Sequence, residues 1–132
     1  MAVRIRTQII VVASLDSDEN QKQFARDASS LTTVIEEFDL EQSGELELAG
    51  GEADYTLEKG KVVTGQFLYI ETTGDLTIKL DGEAVGHKIG IPGSGTKAKW
   101  AIRSEFLSAP KITNDDPTNA AQVSYLIAGS KS

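Results

Sequence analysis

The stretch GIPGSGTK, Gly90 to Lys97, gathers glycines, a serine, a threonine and a lysine, the residue types that cradle phosphate in nucleotide-binding loops. That chemistry needs a lysine directly after the last glycine, then Ser or Thr opening a helix whose first amides face the phosphate. Here Thr96 precedes Lys97, and KAKWAIRSEF follows with the two-residue period of a strand. A loop or hairpin is the expectation. PGSGT also lacks the glycine two residues before Ser94 that a nucleophile elbow requires, and no histidine follows to act as its base.

His87 is the only histidine and cysteine is absent, so the side chains that usually hold a transition metal are missing and His87 reads as a surface or loop residue. Carboxylates are paired at Glu36-Glu37 and Asp115-Asp116, which raises glycoside hydrolysis or calcium binding. The first needs a cleft with aromatic sugar platforms, and the second needs closely spaced oxygen ligands. TNDDPTN, Thr113 to Asn119, is oxygen-rich enough to keep calcium in view, although Asn114, Asp115 and Pro117 equally specify a turn. Trp100 lies in the apolar series Ala98, Trp100, Ile102 and Phe106, opposite Lys97, Lys99 and Arg103, which points to core packing rather than to a sugar platform. Neither an enzymatic constellation nor a cofactor is expected.

The elements that would position these residues are strands. From Val3 to Leu15 the odd positions are mostly apolar, beginning Val3, Ile5, Thr7, Ile9 and Val11, against Arg4, Arg6 and Gln8 at even positions. Ile10 and Val12 then add a second apolar face, which predicts cover from another element or another subunit. This start resembles a signal peptide, but its apolar run is short and Asp16, Asp18 and Glu19 follow at once, so a retained strand is expected. DSDENQKQFARDASS carries a capping candidate and helix formers but little apolar surface, and predicts a short helix or an ordered loop.

Beyond Leu31 come nine short strand patterns: TTVIEEFDL, GELEL, DYTLE, VTGQFLYIET, DLTIKLD, HKIGI, KAKWAIRSEF, KIT and AQVSYLIAG. Turn signals such as Ser43-Gly44, Gly50-Gly51, Asp81-Gly82 and Pro92-Gly93 separate them. Strands at this spacing predict an all-β, antiparallel β-sandwich or barrel. Leu76, Ile78 and Leu80 form one face of DLTIKLD, FLYIET reads as covered on both sides, and TTGD is expected to join the two as a hairpin. With 132 residues, one domain is expected: an arm over 1–15, a helix or loop over 16–31 and the sandwich over 32–132.

The net charge of −7 and pI near 4.7 argue against nucleic acid, and no apolar run approaches a membrane span. Between Arg26 and Lys59 there is no Lys or Arg, whereas nine acids from Glu36 to Glu58 crowd that interval. A solvated face or a surface for a basic partner follows. The candidate interface residues are Ile5, Ile9, Ile10, Val11 and Val12 of the arm, with Glu36, Glu37 and Asp39 of the acidic stretch.

The segments GELELAGGEADYTLEKGKVVTGQFLYIETTGDLTIKLDGE and APKITNDDPTNAAQVSYLIAG resemble small jelly-roll structural proteins of tailed-phage virions. The resemblance implies a jelly-roll-like sandwich with at most one short helix and no enzymatic activity. It further implies a place in the virion, as a head decoration (cement) protein that binds the major capsid protein or other virion proteins, often as a homotrimer. The alternative within the same resemblance is a tail, baseplate or fibre component that binds carbohydrate or protein. Tyr55, Tyr69 and Tyr125 side by side on the surface would favour carbohydrate; burial or a subunit contact would favour the structural role.

Overall fold

The computed structural model describes residues 2–8, 12–14, 21–23, 33–90 and 97–132. These form strands and connecting turns, and no helix occurs among the described residues, so none is long and apolar enough to cross a membrane. The chain divides into two compact units, Ala2–Phe38 and Asp39–Ser132.

In the first unit, β1 (Val3–Gln8) pairs antiparallel with β4 (Thr33–Phe38), and β2 (Val12–Ser14) pairs antiparallel with β3 (Gln21–Gln23). Of the strand expected over Val3 to Leu15, Val3–Gln8 and Val12–Ser14 are in strand, and residues 9–11 and 15 lie outside the described residues. One expectation is corrected here. Residues 21–23, expected in a helix or loop, lie in a ladder, because a segment with so little apolar surface has no face to anchor a helix. In addition, β4 belongs to this unit rather than to the sandwich: its six residues match the six of β1 in one continuous register.

The second unit holds the eight remaining strands, β5 (Leu40–Leu48), β6 (Tyr55–Thr56), β7 (Thr64–Thr72), β8 (Leu76–Lys79), β9 (His87–Ile89), β10 (Ala98–Ile102), β11 (Lys111–Asn114) and β12 (Ala121–Ser130). One sheet has the order β10-β7-β12-β5 and the other β6-β11-β8-β9, with every pairing antiparallel. The fold is therefore an antiparallel β-sandwich, and each of the nine strand patterns read beyond Leu31 has become a strand.

Period-two alternation supplies the core. Leu48, Leu68, Ile70, Val123, Tyr125 and Ile127 of the first sheet meet Leu76, Ile78, Ile89 and Ile112 of the second in one buried cluster. Phe106 and Leu80 are buried in it as expected, at 0% and 5% exposure. Trp100 and Ile102 are only partly buried against it, a correction to their expected place deep in the core. Their strand, β10, lies at the sheet edge, where one flank has no paired strand among the described residues.

A further correction concerns FLYIET and DLTIKLD. They are not a hairpin: β7 lies in one sheet and β8 in the other, so the TTGD turn carries the chain across the core. Thr72 Oγ1 accepts a bond from Gly74 N at 3.1 Å, and Thr73 N donates to Gln122 O at 3.1 Å, holding the start of the crossing. FLYIET, expected to be covered on both sides, is corrected as well: Leu68, Ile70 and Thr72 are buried, whereas Tyr69 and Glu71 on the other face are only half-buried. Just before this run, Ala128 pairs with Phe67 but Gly129 pairs with Gly65, so Gln66 is an extra residue, a β-bulge.

Candidate interaction surface

No group of three or more acids or histidines among the described residues is placed to hold a metal ion. His87 is exposed on β9, with Nε2 3.5 Å from Glu83 Oε2 and its ring centroid 5.6 Å from that of Trp100. Residues 91–96 of the glycine-rich stretch lie outside the described residues. The lysine that ends it, Lys97, leads into strand β10, where a phosphate loop requires a helix.

The oxygen-rich Thr113 to Asn119 segment is knitted to itself and to its neighbours. Buried Asn114 donates from Nδ2 to the carbonyls of Leu48 (3.3 Å), Ala49 (3.1 Å) and Asn119 (2.9 Å), while its Oδ1 accepts from Asp116 N at 3.1 Å. Asp115 Oδ2 accepts from Thr77 Oγ1 at 2.6 Å. Asp116 Oδ1 accepts from Thr118 N (2.9 Å), Thr118 Oγ1 (3.1 Å) and Asn119 N (3.1 Å), and Oδ2 accepts from Asn119 Nδ2 (3.1 Å). The turn expected from this composition is what these side chains build.

The Thr118 backbone N–H above all, then the Asn119 side-chain amide, hold the Asp116 carboxyl down at about 2 from an ordinary 3.8. A depressed carboxyl contributes stability that is complete above its unfolded value and lost as pH falls through the folded one. The expected result is a loss of thermal stability between pH 4 and pH 2 that is smaller in Asp116→Asn, read from melting curves of both proteins across that window. Identical pH profiles would show that this carboxyl does not contribute.

The outer face of the β10-β7-β12-β5 sheet carries exposed charges of both signs. Aligned cross-strand rows cover it: Lys99, Glu71, Ser124 and Glu45 form one, and Ala101, Tyr69, Leu126 and Ser43 the next. Bases therefore lie on the β10 side, at Lys97 and Lys99, and acids on the β5 side, at Glu41, Glu45 and Glu47, all exposed. In the middle, Lys97 Nζ bridges to Glu71 Oε1 at 2.9 Å, and Tyr69 Oη donates to Glu71 Oε2 at 3.0 Å. The Lys97 bond, followed by the Tyr69 bond, lowers the Glu71 pKa; burial, followed by Glu71, raises that of Tyr69. A shallow depression of about 340 Å³ opens here, with Tyr69 and Leu126 beside the small residues Ser43, Gly44 and Ser124.

The tyrosines do not form one exposed platform. Tyr125 is buried, with its hydroxyl donating to Glu58 O at 3.1 Å; Tyr69 is half-buried on the outer face; Tyr55 is exposed on β6. Tyr125 belongs to the core row and carries a raised pKa, chiefly through burial and then the nearby Glu58 charge.

The candidate interface residues fall as follows. Ile5 is half-buried on β1, across from Glu36 of β4. Glu37 is exposed and accepts from Arg4 Nη2 at 2.9 Å, so the fold brings a base to one acid of a stretch that carries none of its own. Asp39 is exposed, and Val12 opens β2. Ile9, Ile10 and Val11 lie outside the described residues. The outer-face polarity between β10 and β5 was missed by sequence reasoning, although the alternations Lys97, Lys99 and Glu45, Glu47 carried its two halves.

Fold and surface together define an antiparallel β-sandwich preceded by a small N-terminal unit whose described residues form strands. No family model, curated protein or solved structure matches the chain.

Proposed function

We propose that the chain is a non-enzymatic structural protein of a virion, a head decoration protein that binds the assembled capsid and stabilises it. The observation that carries this reading is the composition of the sandwich core: its buried cluster is built from residues between Leu48 and Ile127, with Leu40, Leu46, Trp100 and Ile102 packed against it. The second unit thus has a core of its own, and in this proposal the apolar positions of the N-terminal unit serve strand exchange or edge addition to a virion neighbour. The resemblance of the two long segments to phage virion proteins points the same way.

Apolar contact supplies most of the affinity in this proposal, because an exposed ion pair contributes only about 0–1 kcal/mol. The exposed acids set orientation and encounter rate against a basic capsid surface. A protein that binds the assembled lattice and not its free subunits shifts the equilibrium towards the assembled state. Particles lacking the protein should therefore release their genome at a lower temperature, and deletion of residues 1–15 should abolish occupancy on particles decorated in vitro. Equal heat resistance of bare and decorated particles, with the protein located on tails, would replace this reading with the tail, baseplate or fibre one.

A further inference from the structure

The outer face of the β10-β7-β12-β5 sheet is polar in one direction, from bases on β10 to acids on β5, with Tyr69 and Leu126 between them. Lys99 and Glu45 stand at opposite ends of one row, three strand spacings or about 14 Å apart. Both are exposed, and neither makes a direct ion pair among the described residues. Lys97, the neighbouring base on the β10 flank, is bonded to Glu71, so the one acid of the central strands in this row already has a partner.

We propose that this face is a contact between two copies of the chain, related by a two-fold axis parallel to the strands. Such an axis turns the face over and exchanges its flanks without moving residues along the strand direction. Lys99 of one copy then stands over Glu45 of the second, and the same pair recurs on the other flank, as an isologous contact requires. Next to the axis, Tyr69 of one copy stands over Leu126 of the second and Leu126 over Tyr69, with the depression between them receiving the opposing side chains at the usual spacing of about 10 Å between stacked sheets.

The occupant follows from the charge pattern. A second copy carries both signs at the required level and on the required flanks, whereas a uniformly basic partner would meet repulsion from Lys99. The other orientation of two copies, with the axis perpendicular to the strands in the face, would set acid over acid. Four strands of this length present a small patch, so the contact belongs to the weak, concentration-dependent class below about 1,200 Å² of total buried surface. This inference does not depend on the virion proposal, because it is tested on the purified chain with no particle present.

Sedimentation equilibrium over a range of concentrations is the measurement. The wild-type mass should rise from 14.1 kDa towards twice that value. Glu45→Lys or Lys99→Glu alone should weaken association at least about tenfold, since each places like charges together at both symmetric sites. The double variant Glu45→Lys/Lys99→Glu should return to within about threefold of wild type, because it exchanges the flanks and restores the pairing. Leu126→Glu, which sets two carboxylates beside the axis, should abolish the dimer without a change at either flank. A chain that stays at 14.1 kDa at every concentration overturns the proposal. A mass tending to three times that value, single reversals without effect or a double variant that does not recover would overturn it equally.

Discussion

Gly129→Ala is expected to destabilise the sandwich by about 3 kcal/mol and to lower its melting temperature by roughly 10 °C or more. A methyl group placed there would sit 2.0 Å from Thr64 O, 2.9 Å from Val62 Cγ1 and 3.0 Å from Gly65 Cα. The nearest of these is backbone, so the clash cannot be relieved by turning a side chain. It lies where β12 meets the bulge of β7, and moving β7 away would break the ladder between the two central strands of the sheet. Gly65→Ala meets a different obstacle at the same bulge: its methyl would lie 2.1 Å from the ring of Phe106, a side chain with no exposure and no free direction in which to turn. Thermal or urea unfolding of Gly129→Ala measures the effect. A loss of less than about 1 kcal/mol would mean that the two strands separate there at little cost, contrary to the close packing of protein interiors.

Asn114→Ala should cost a comparable amount, about 2–4 kcal/mol, for an electrostatic reason. Asn114 has 1% exposure, and its amide nitrogen donates to three backbone carbonyls, those of Leu48, Ala49 and Asn119. Alanine removes the donor, and the desolvation left unmet at the buried Leu48 carbonyl exceeds the net worth of the bond itself. It also frees Asp116 N from Asn114 Oδ1, loosening the turn that joins β11 to β12. Asn114→Asp sharpens the test because the shapes are nearly equal. At neutral pH a carboxylate would confront carbonyl oxygens, so this variant should be at least as unstable as alanine and should recover part of the loss in acid, where a protonated carboxyl can donate one bond. Urea unfolding of the three proteins at pH 7 and pH 4 distinguishes them; an Asp variant as stable as wild type at pH 7 would show that the amide is not a required donor.

Both predictions rest on residues that sequence reading placed only in part. Asn114 was legible as a turn former, from its neighbours Asp115 and Pro117, but not as a buried hub. Its depth comes from the end of β5, more than sixty residues away in the chain, which supplies two of its three acceptors. Gly65 and Gly129 carried no local signal that distinguished them from loop glycines. Close backbone approach depends on which strand lies beside which, and β7 and β12 are separated by fifty or so residues.

What the sequence determined by itself is local and periodic. Alternation in DLTIKLD assigned Leu76, Ile78 and Leu80 to a buried face, because side-chain direction along a strand is set by a pleat of two residues. Turn residues marked where strands end, and the two together were enough for an antiparallel β-sandwich. The period does not say which sheet a strand joins. TTGD served a hairpin and a crossing equally well, and the crossing prevailed because it lets Leu68 and Ile70 of β7 share one core with Leu76 and Ile78 of β8 from the facing sheet. Edge position, which leaves Trp100 half-covered, and the opposition of Lys99 to Glu45 across one row were likewise decided only by tertiary structure. Both are properties of strand order, and strand order is fixed by long-range pairing and the burial it permits rather than by any segment alone.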